Sequence, residues 1–109
     1  MAETTSELKG IIERYRAMLE TLGVLAEKIY LFGSYKDGTQ REGSDIDLIV
    51  VSSDWEQFDT RLKRLRTLGV AAARILEPIE AQGFTPKEIA EGNISSFWKD
   101  ILENEAVPM

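Results

Sequence analysis

The run from Asp45 to Ser52 constrains the fold of this chain more than any other segment. Its apolar residues are Ile46, Leu48, Ile49, Val50 and Val51. A short and nearly continuous apolar run of this kind is typical of a β-strand that is buried on both faces. The chain is therefore expected to fold around a β-sheet.

The segments before this strand predict a helix and a second strand. Apolar residues three and four apart predict an amphipathic helix from Thr4 to Leu22, with Thr4 and Glu7 as a capping box and Gly23 as a stop. Residues 26–32 have the β-branched and aromatic content of a strand that ends at Gly33. Residues 34–43 are polar and predict a turn or a short helical loop.

The segments after the strand alternate between helix and strand. Residues 55–75 predict one helix or a broken pair, with Gly69 as the point of division. Residues 76–81 are too short and too proline-interrupted for a helix and predict a strand near a sheet edge. Thr85, Pro86 and Glu88 form a strong helix start, and the following helix is interrupted near residues 92–93.

This order of elements indicates a fold of the α+β (or α/β) class. We expect a small mixed β-sheet with helices packed on one face, which leaves the other face free for a ligand. Because the chain has 109 residues, we expect residues 1–109 to form a single domain.

The composition excludes several classes of function. The chain has no cysteine and no histidine, which removes thiol nucleophiles, thiolate or imidazole zinc sites and Ser-His-Asp triads. The net charge of −6 makes a nucleic-acid partner an unfavoured choice. The sequence has neither a secretory signal nor an apolar run of membrane-spanning length, so we expect a cytoplasmic protein without a membrane partner.

Two aspartates stand at the head of the central strand. Because side chains alternate along a strand, Asp45 and Asp47 are expected on the same face. Two adjacent carboxylates repel each other unless a cation lies between them, and hard oxygen ligands suit Mg²⁺ or Mn²⁺. The simpler alternative is a pair of solvated residues at a strand start.

A glycine and a serine lie upstream, where the first strand ends. Gly33 allows backbone amides to approach an anion closely, and the hydroxyl of Ser34 adds a donor. The two residues are thus suited to hold phosphate beside a metal bound by Asp45 and Asp47. A plain turn without a ligand is the alternative.

Taken together, residues 31–38 and 43–51 resemble the nucleotidyltransferases of the DNA polymerase beta superfamily, through Gly-Ser followed ten residues later by Asp-x-Asp. More narrowly, the chain is similar to the minimal nucleotidyltransferases, which are often encoded beside a helical partner of the HEPN class. The resemblance implies the nucleotidyltransferase fold, with Gly33 and Ser34 holding the nucleotide triphosphate and Asp45 and Asp47 the metal ions.

The resemblance also implies a third carboxylate on a neighbouring strand. The candidates are Glu77 and Glu80, and we prefer Glu77 as a catalytic and metal-binding residue because it is nearer the middle of the predicted strand. Most relatives have an aspartate there. The chain also departs from its relatives at Lys36-Asp37, where they commonly carry an alanine and an arginine.

The activity implied by the resemblance is metal-dependent transfer of a nucleoside monophosphate, AMP from ATP, to a hydroxyl of a partner protein. The chain would then be an enzyme and the antitoxin of a toxin–antitoxin pair, with Mg²⁺ or Mn²⁺ as cofactor and a HEPN-type protein as partner. The alternative is a catalytically idle nucleotide-binding module that neutralises its partner by binding. A homo-oligomer is also left open.

Two other features have simple structural interpretations. The basic cluster is expected to be a solvated helix face, or otherwise a contact for an acidic partner or RNA; it consists of Arg61, Lys63, Arg64 and Arg66. Phe97 and Trp98 are expected in the core, with an interface as the alternative.

Overall fold

A computed structural model describes residues 2–33, 45–58 and 60–109. Its helices and strands follow the predicted order, with one strand added at the end of the chain. The elements are α1 (Ala2–Thr21), β1 (Lys28–Phe32), β2 (Ile46–Val51), a 3-10 helix (Ser53–Gln57), α2 (Arg61–Arg74), β3 (Ile79–Phe84), α3 (Pro86–Ala90), α4 (Ser96–Asn104) and β4 (Val107–Pro108).

The strands form one mixed sheet in the order β3-β2-β1-β4. β1 pairs with β2 and with β4 in antiparallel fashion, whereas β2 and β3 are parallel. The apolar run that the sequence places in a buried strand is β2, an inner strand with neighbours on both sides. The α+β class and the mixed sheet are confirmed.

One face of the sheet carries the larger core. Residues of β1 and β2 on this face pack against α1 and α2. The phenol of Tyr15 is buried in this layer and donates a hydrogen bond of 2.9 Å to the backbone carbonyl of Leu68, which joins the two helices. Burial raises the pKa of the Tyr15 phenol, so the group stays protonated and keeps this hydrogen bond.

The other face carries a second, smaller apolar cluster. Ile49, Val51 and Phe84 of the sheet pack with Ile101 of α4. The sequence predicted a free second face, but the apolar stripe of α4 requires a surface to cover and takes part of it. Asp47 shares this face with Ile49 and Val51, because residues two apart along a strand point the same way.

The strand after α2 begins three residues later than the sequence predicts. β3 starts at Ile79 and not at residue 76. Leu76 has a φ of 58° and ends the helix, and its neighbour Glu77 donates its backbone N–H to a carbonyl of α2. The backbone therefore leaves the helix over these residues before the strand can form.

The helix boundaries were predicted with mixed success. α1 begins at Ala2, so Thr4 lies inside the helix and is not its cap, but Gly23 follows the helix end with a φ of 91° as expected. The capping box of Thr85 and Glu88 is confirmed, with Pro86 as the first helical residue. Gly69 lies within α2 and does not divide it. None of the helices in the described ranges combines the length and apolar content that a membrane span requires.

Candidate active site

Three of the predicted functional residues, Gly33, Asp45 and Asp47, lie at one end of the sheet. β1 ends at Phe32, and Gly33 follows it. Phe32 lies directly beside the start of β2, because it pairs with Asp47 in the antiparallel register. Asp45 precedes the same strand. Since β3 runs parallel to β2, its first residues lie at this end as well. The topology thus gathers residues that are far apart in the chain.

Gly33 and Asp47 are in direct contact. Gly33 has a φ of 77°, a conformation that side chains rarely adopt. A Cβ built on this residue would overlap a carboxylate oxygen of Asp47 and lie 3.2 Å from its Cγ. A side chain here would be strained at this φ and would displace the Asp47 carboxylate.

Asp47 lies in an electrostatic environment that opposes its charge. Partial burial raises the pKa of the Asp47 carboxyl, and the negative charges of Glu80, Asp45 and Glu105 raise it further. Among the described residues, no arginine or lysine contributes to the shift. Within the described ranges the ionised carboxylate is opposed by these negative charges, and a bound cation would stabilise it.

Glu80 occupies the position that we assigned to Glu77. In the parallel register Asp47 pairs with Glu80, so the two side chains lie side by side on adjacent strands. Glu77 lies outside β3, contrary to the prediction, and its carboxylate forms an ion pair of 2.7 Å with Arg14 of α1. The geometry favours Glu80 as the third carboxylate, because the strand starts later than the sequence suggested.

A fourth carboxylate, which the sequence did not indicate, contributes to the same field. Glu105 follows α4 and precedes β4, and its charge helps to raise the pKa of Asp47. β4 lies next to β1, with Val107 paired to Leu31. No local pattern marks Glu105, since its position depends on a strand pairing across more than 70 residues.

The remaining residues of the predicted phosphate loop lie outside the described part of the chain. They are Ser34, Lys36, Asp37 and Arg41. The predicted role of Ser34 in holding the nucleotide stays a prediction. Gly33, the last described residue before this segment, has a left-handed φ of 77° and no side chain.

The donor set fits a divalent cation of the Mg²⁺ type. Asp45, Asp47 and Glu80 offer hard oxygen atoms at one sheet end, and Mg²⁺ is commonly held by one or two carboxylates together with water and substrate phosphates. Within the described ranges, no group of three or more His, Cys, Asp or Glu side chains is already arranged around a metal position. Such a site would be completed by the bound nucleotide.

The basic cluster is not simply a solvated helix face. Arg64 turns inward and donates from Nη1 to the Gly83 carbonyl at 3.1 Å and to the Glu88 carboxylate at 2.8 Å. Arg61 lies over the Phe84 ring, 5.4 Å from its centroid. These two arginines therefore join α2 to β3 and α3, which sequence periodicity alone could not show.

The aromatic pair of α4 divides between core and surface. Trp98 is half-buried and contacts the rings of Phe32 and Phe84, with centroid separations of 5.7 and 6.0 Å. Phe97 is 63% exposed and touches only Trp98 among the aromatic rings of the described residues. The core prediction is thus confirmed for Trp98 and wrong for Phe97.

The fold and the acidic sheet end together define a nucleotidyltransferase-like scaffold of the polymerase beta type. A family model described as the nucleotidyltransferase domain matches residues 11–103, which is most of the chain. The chain belongs to this family. No curated protein matches it.

Proposed function

We propose that the chain transfers a nucleoside monophosphate from a nucleotide triphosphate to a hydroxyl group of a partner protein. The observation that carries this proposal is the position of Asp47. Its carboxylate touches Gly33 and is repelled by three further carboxylates, and no lysine or arginine of the described residues offsets this repulsion. A site of this kind suits a metal-bound triphosphate, and family membership supports the same chemistry.

Asp45, Asp47 and Glu80 are the residues proposed to hold the metal ions. This choice replaces Glu77, because the Glu77 carboxylate is engaged by Arg14, whereas Glu80 is paired with Asp47 on the adjacent strand. Bound Mg²⁺ or Mn²⁺ would neutralise phosphate oxygens and stabilise the entering and leaving oxygens.

The protein itself would position the reactants. The backbone of Gly33, with Ser34, would hold the triphosphate. In the transfer, the acceptor oxygen forms a bond to the α-phosphorus as the bond to the bridging oxygen of the β-phosphate breaks, and pyrophosphate leaves. We assign the proton of the acceptor hydroxyl to the Glu80 carboxylate, which lies beside Asp47 at the sheet end.

The charge of the chain favours a protein as acceptor. A net charge of −6 and an acidic site disfavour approach of a nucleic-acid backbone. The resemblance to minimal nucleotidyltransferases further suggests ATP as donor and a helical HEPN-type toxin as acceptor, with the chain acting as a cytoplasmic antitoxin. Transfer of AMP to the toxin would be the neutralising step.

The test is incubation of the purified chain with α-labelled ATP, Mg²⁺ and the purified product of the neighbouring gene. We expect label on the partner, and loss of at least about 100-fold in the rate with Asp45→Asn or Asp47→Asn. Neutralisation of the partner that survives both substitutions would instead identify a binding module that has no catalytic role.

Separate glutamine variants test the choice of the third carboxylate. With the partner at saturating concentration, Glu80→Gln should abolish transfer, whereas Glu77→Gln should change the rate no more than about threefold, as for an exposed ion pair. Binding of Mn²⁺, followed by electron paramagnetic resonance, should weaken only in the Glu80 variant. The reverse result would restore Glu77 to the site.

A further inference from the structure

The two long helices end with the same backbone motif but with different residues. In each helix, the second residue after the helix end lies in the left-handed region and donates its N–H to the carbonyl three residues earlier. The next residue donates its N–H to the carbonyl five residues earlier. After α1 the left-handed residue is Gly23, with a φ of 91°. After α2 it is Leu76, with a φ of 58°. Glycine is the usual residue at this position because it has no Cβ to clash.

Leu76 contributes nothing to the fold that would offset this conformation. A leucine in the left-handed region is disfavoured by contact between its Cβ and the backbone. Its side chain is 88% exposed, so the core gains no apolar contact from it either. In the isolated chain the backbone conformation of Leu76 and the exposure of its apolar side chain are both unfavourable. This combination indicates that the side chain contacts another molecule.

The location of Leu76 places such a contact beside the candidate active site. Pro78, two residues later, accepts a hydrogen bond of 2.7 Å from the backbone N–H of Ile46. Ile46 lies between Asp45 and Asp47 in the sequence. Residues 76–78 thus form a rim beside these aspartates. A macromolecule that brings a hydroxyl to the aspartates would therefore cover this rim, which includes Leu76.

The charges around this rim indicate which kind of macromolecule would bind there. Asp45 and Glu80 are exposed at the same end of the sheet, and neither forms an ion pair with a lysine or arginine in the part of the chain that the structure describes. These two exposed carboxylates outnumber the exposed Arg74, which lies two residues before Leu76, so the described residues at this end of the sheet are mainly acidic. A mainly acidic surface with a protruding leucine complements a protein surface that has an apolar depression flanked by basic residues. It does not complement a nucleic-acid backbone.

We propose that Leu76 is the anchor by which the chain binds its acceptor protein, inserting into an apolar depression bordered by basic residues. This inference rests on the proposed function, since it concerns the protein that receives the nucleotide. It assigns a role to a residue that takes no part in metal or nucleotide binding.

The test separates binding of the acceptor from chemistry. The affinity of the purified product of the neighbouring gene for wild type, Leu76→Ala and Leu76→Gly is measured by calorimetry without nucleotide. The matched control is Leu25→Ala, because Leu25 is a loop leucine, 56% exposed, near the start of β1 at the opposite end of the sheet. We expect both Leu76 variants to bind about 10- to 100-fold more weakly, the range for losing a buried leucine contact, and the control to bind normally.

Thermal unfolding distinguishes an anchor from a structural role. Leu76→Gly should keep or raise the Tm, by up to about 4 °C, because glycine accepts the left-handed conformation. Weaker binding by a variant that is at least as stable as wild type cannot come from misfolding. A lowered Tm in this variant would mean that the leucine serves the fold, and the proposal would be wrong.

Other outcomes also overturn the proposal, and each differs from failure of the proposed function. If the neighbouring product binds wild type and both Leu76 variants equally, or does not bind wild type, Leu76 is not its anchor. If Leu76→Ala weakens binding of a single-stranded RNA 20-mer but not of the protein, the surface serves RNA. If binding depends on Leu76 but no label is transferred, only the proposed catalysis fails.

Discussion

At the scale of single residues, the contact between Gly33 and Asp47 is the most demanding feature of the site. Gly33 combines a left-handed backbone with a position where any Cβ would overlap a carboxylate. A side chain at this position would meet both the backbone strain and the overlap with Asp47, and relieving one of them would leave the other. The glycine therefore suits both the backbone at the end of β1 and the position of the Asp47 carboxylate.

Gly33→Ala should destabilise the protein by about 1–3 kcal/mol, because it adds backbone strain and a steric overlap. Urea unfolding measures this change. Gly69→Ala is the matched control, since Gly69 lies in α2 with open space around its Cβ position, and it should stabilise by about 0.5–1 kcal/mol. A Gly33 variant as stable as wild type would show that the turn tolerates a side chain.

Asp47→Asn should stabilise the metal-free protein at neutral pH. The folded-state pKa of Asp47 is raised, so the fold is favoured while this carboxyl is protonated, and stability is lost as the pH rises through that pKa. Removing the charge should raise the Tm in EDTA by about 1–3 °C at pH 7, and the difference should shrink below pH 4. A lower Tm for the variant at pH 7 would contradict the repulsion.

At the scale of elements, β3 and the 3-10 helix are fitted to each other through Trp55 and Gly83. The indole of Trp55 is fully buried and donates to the Val50 carbonyl at 3.1 Å. A Cβ on Gly83 would lie 2.7 Å from the indole Cε2. The strand accepts a glycine, a poor strand former, because the tryptophan needs that space.

Gly83→Ala should therefore destabilise by about 1–3 kcal/mol through overpacking. A double-mutant cycle with Trp55→Phe tests the cause, because the smaller ring leaves room for the methyl group. We expect the two changes to be non-additive, with the alanine costing less in the phenylalanine background. Additive losses would mean that the glycine is required for the strand backbone alone.

The junction of α2, β3 and α3 depends on Glu88. Burial alone would raise the pKa of its carboxyl, but hydrogen bonds from Arg64 and from the Thr85 N–H, with the arginine charge, lower it below the ordinary value of 4.5. Because the folded pKa is lowered, the stabilisation is present above pH 4.5 and is lost as the pH falls through the folded pKa.

Glu88→Gln should therefore be less stable than wild type at pH 7, and the two should converge as the pH falls below about 4. Partial exposure screens the ion pair, so the difference should be about 1 kcal/mol or less. Denaturant unfolding across pH 3–7 measures it. A difference that stays constant over this range would exclude the charge as its origin.

At the scale of the whole molecule, the carboxylates at one sheet end come from β2, β3 and the segment after α4. Their repulsion opposes the fold, and a divalent cation should relieve it. Mg²⁺ at ten times its Kd should stabilise wild type by about 1.4 kcal/mol, seen as a rise in Tm. Asp47→Asn should lose most of this rise, and NaCl at equal ionic strength should not reproduce it. An equal rise with NaCl would exclude a specific site.

The sequence by itself determined most of the local structure and the placement of two residues of the candidate site. Alternation along a strand was enough to put Asp45 and Asp47 on one face, and the apolar run of β2 was enough to predict an inner strand. The capping box before α3 was also readable, because all its atoms belong to neighbouring residues.

Only the tertiary structure decided which distant residues join those aspartates. Glu80 rather than Glu77 lies beside Asp47 because β3 begins at Ile79, and Glu105 comes near because β4 pairs with β1. Strand register and sheet order depend on contacts between residues far apart in the chain, and a shift of one residue moves a side chain to the other face. Local patterns do not contain that information, so the complete site emerges only from the folded sheet.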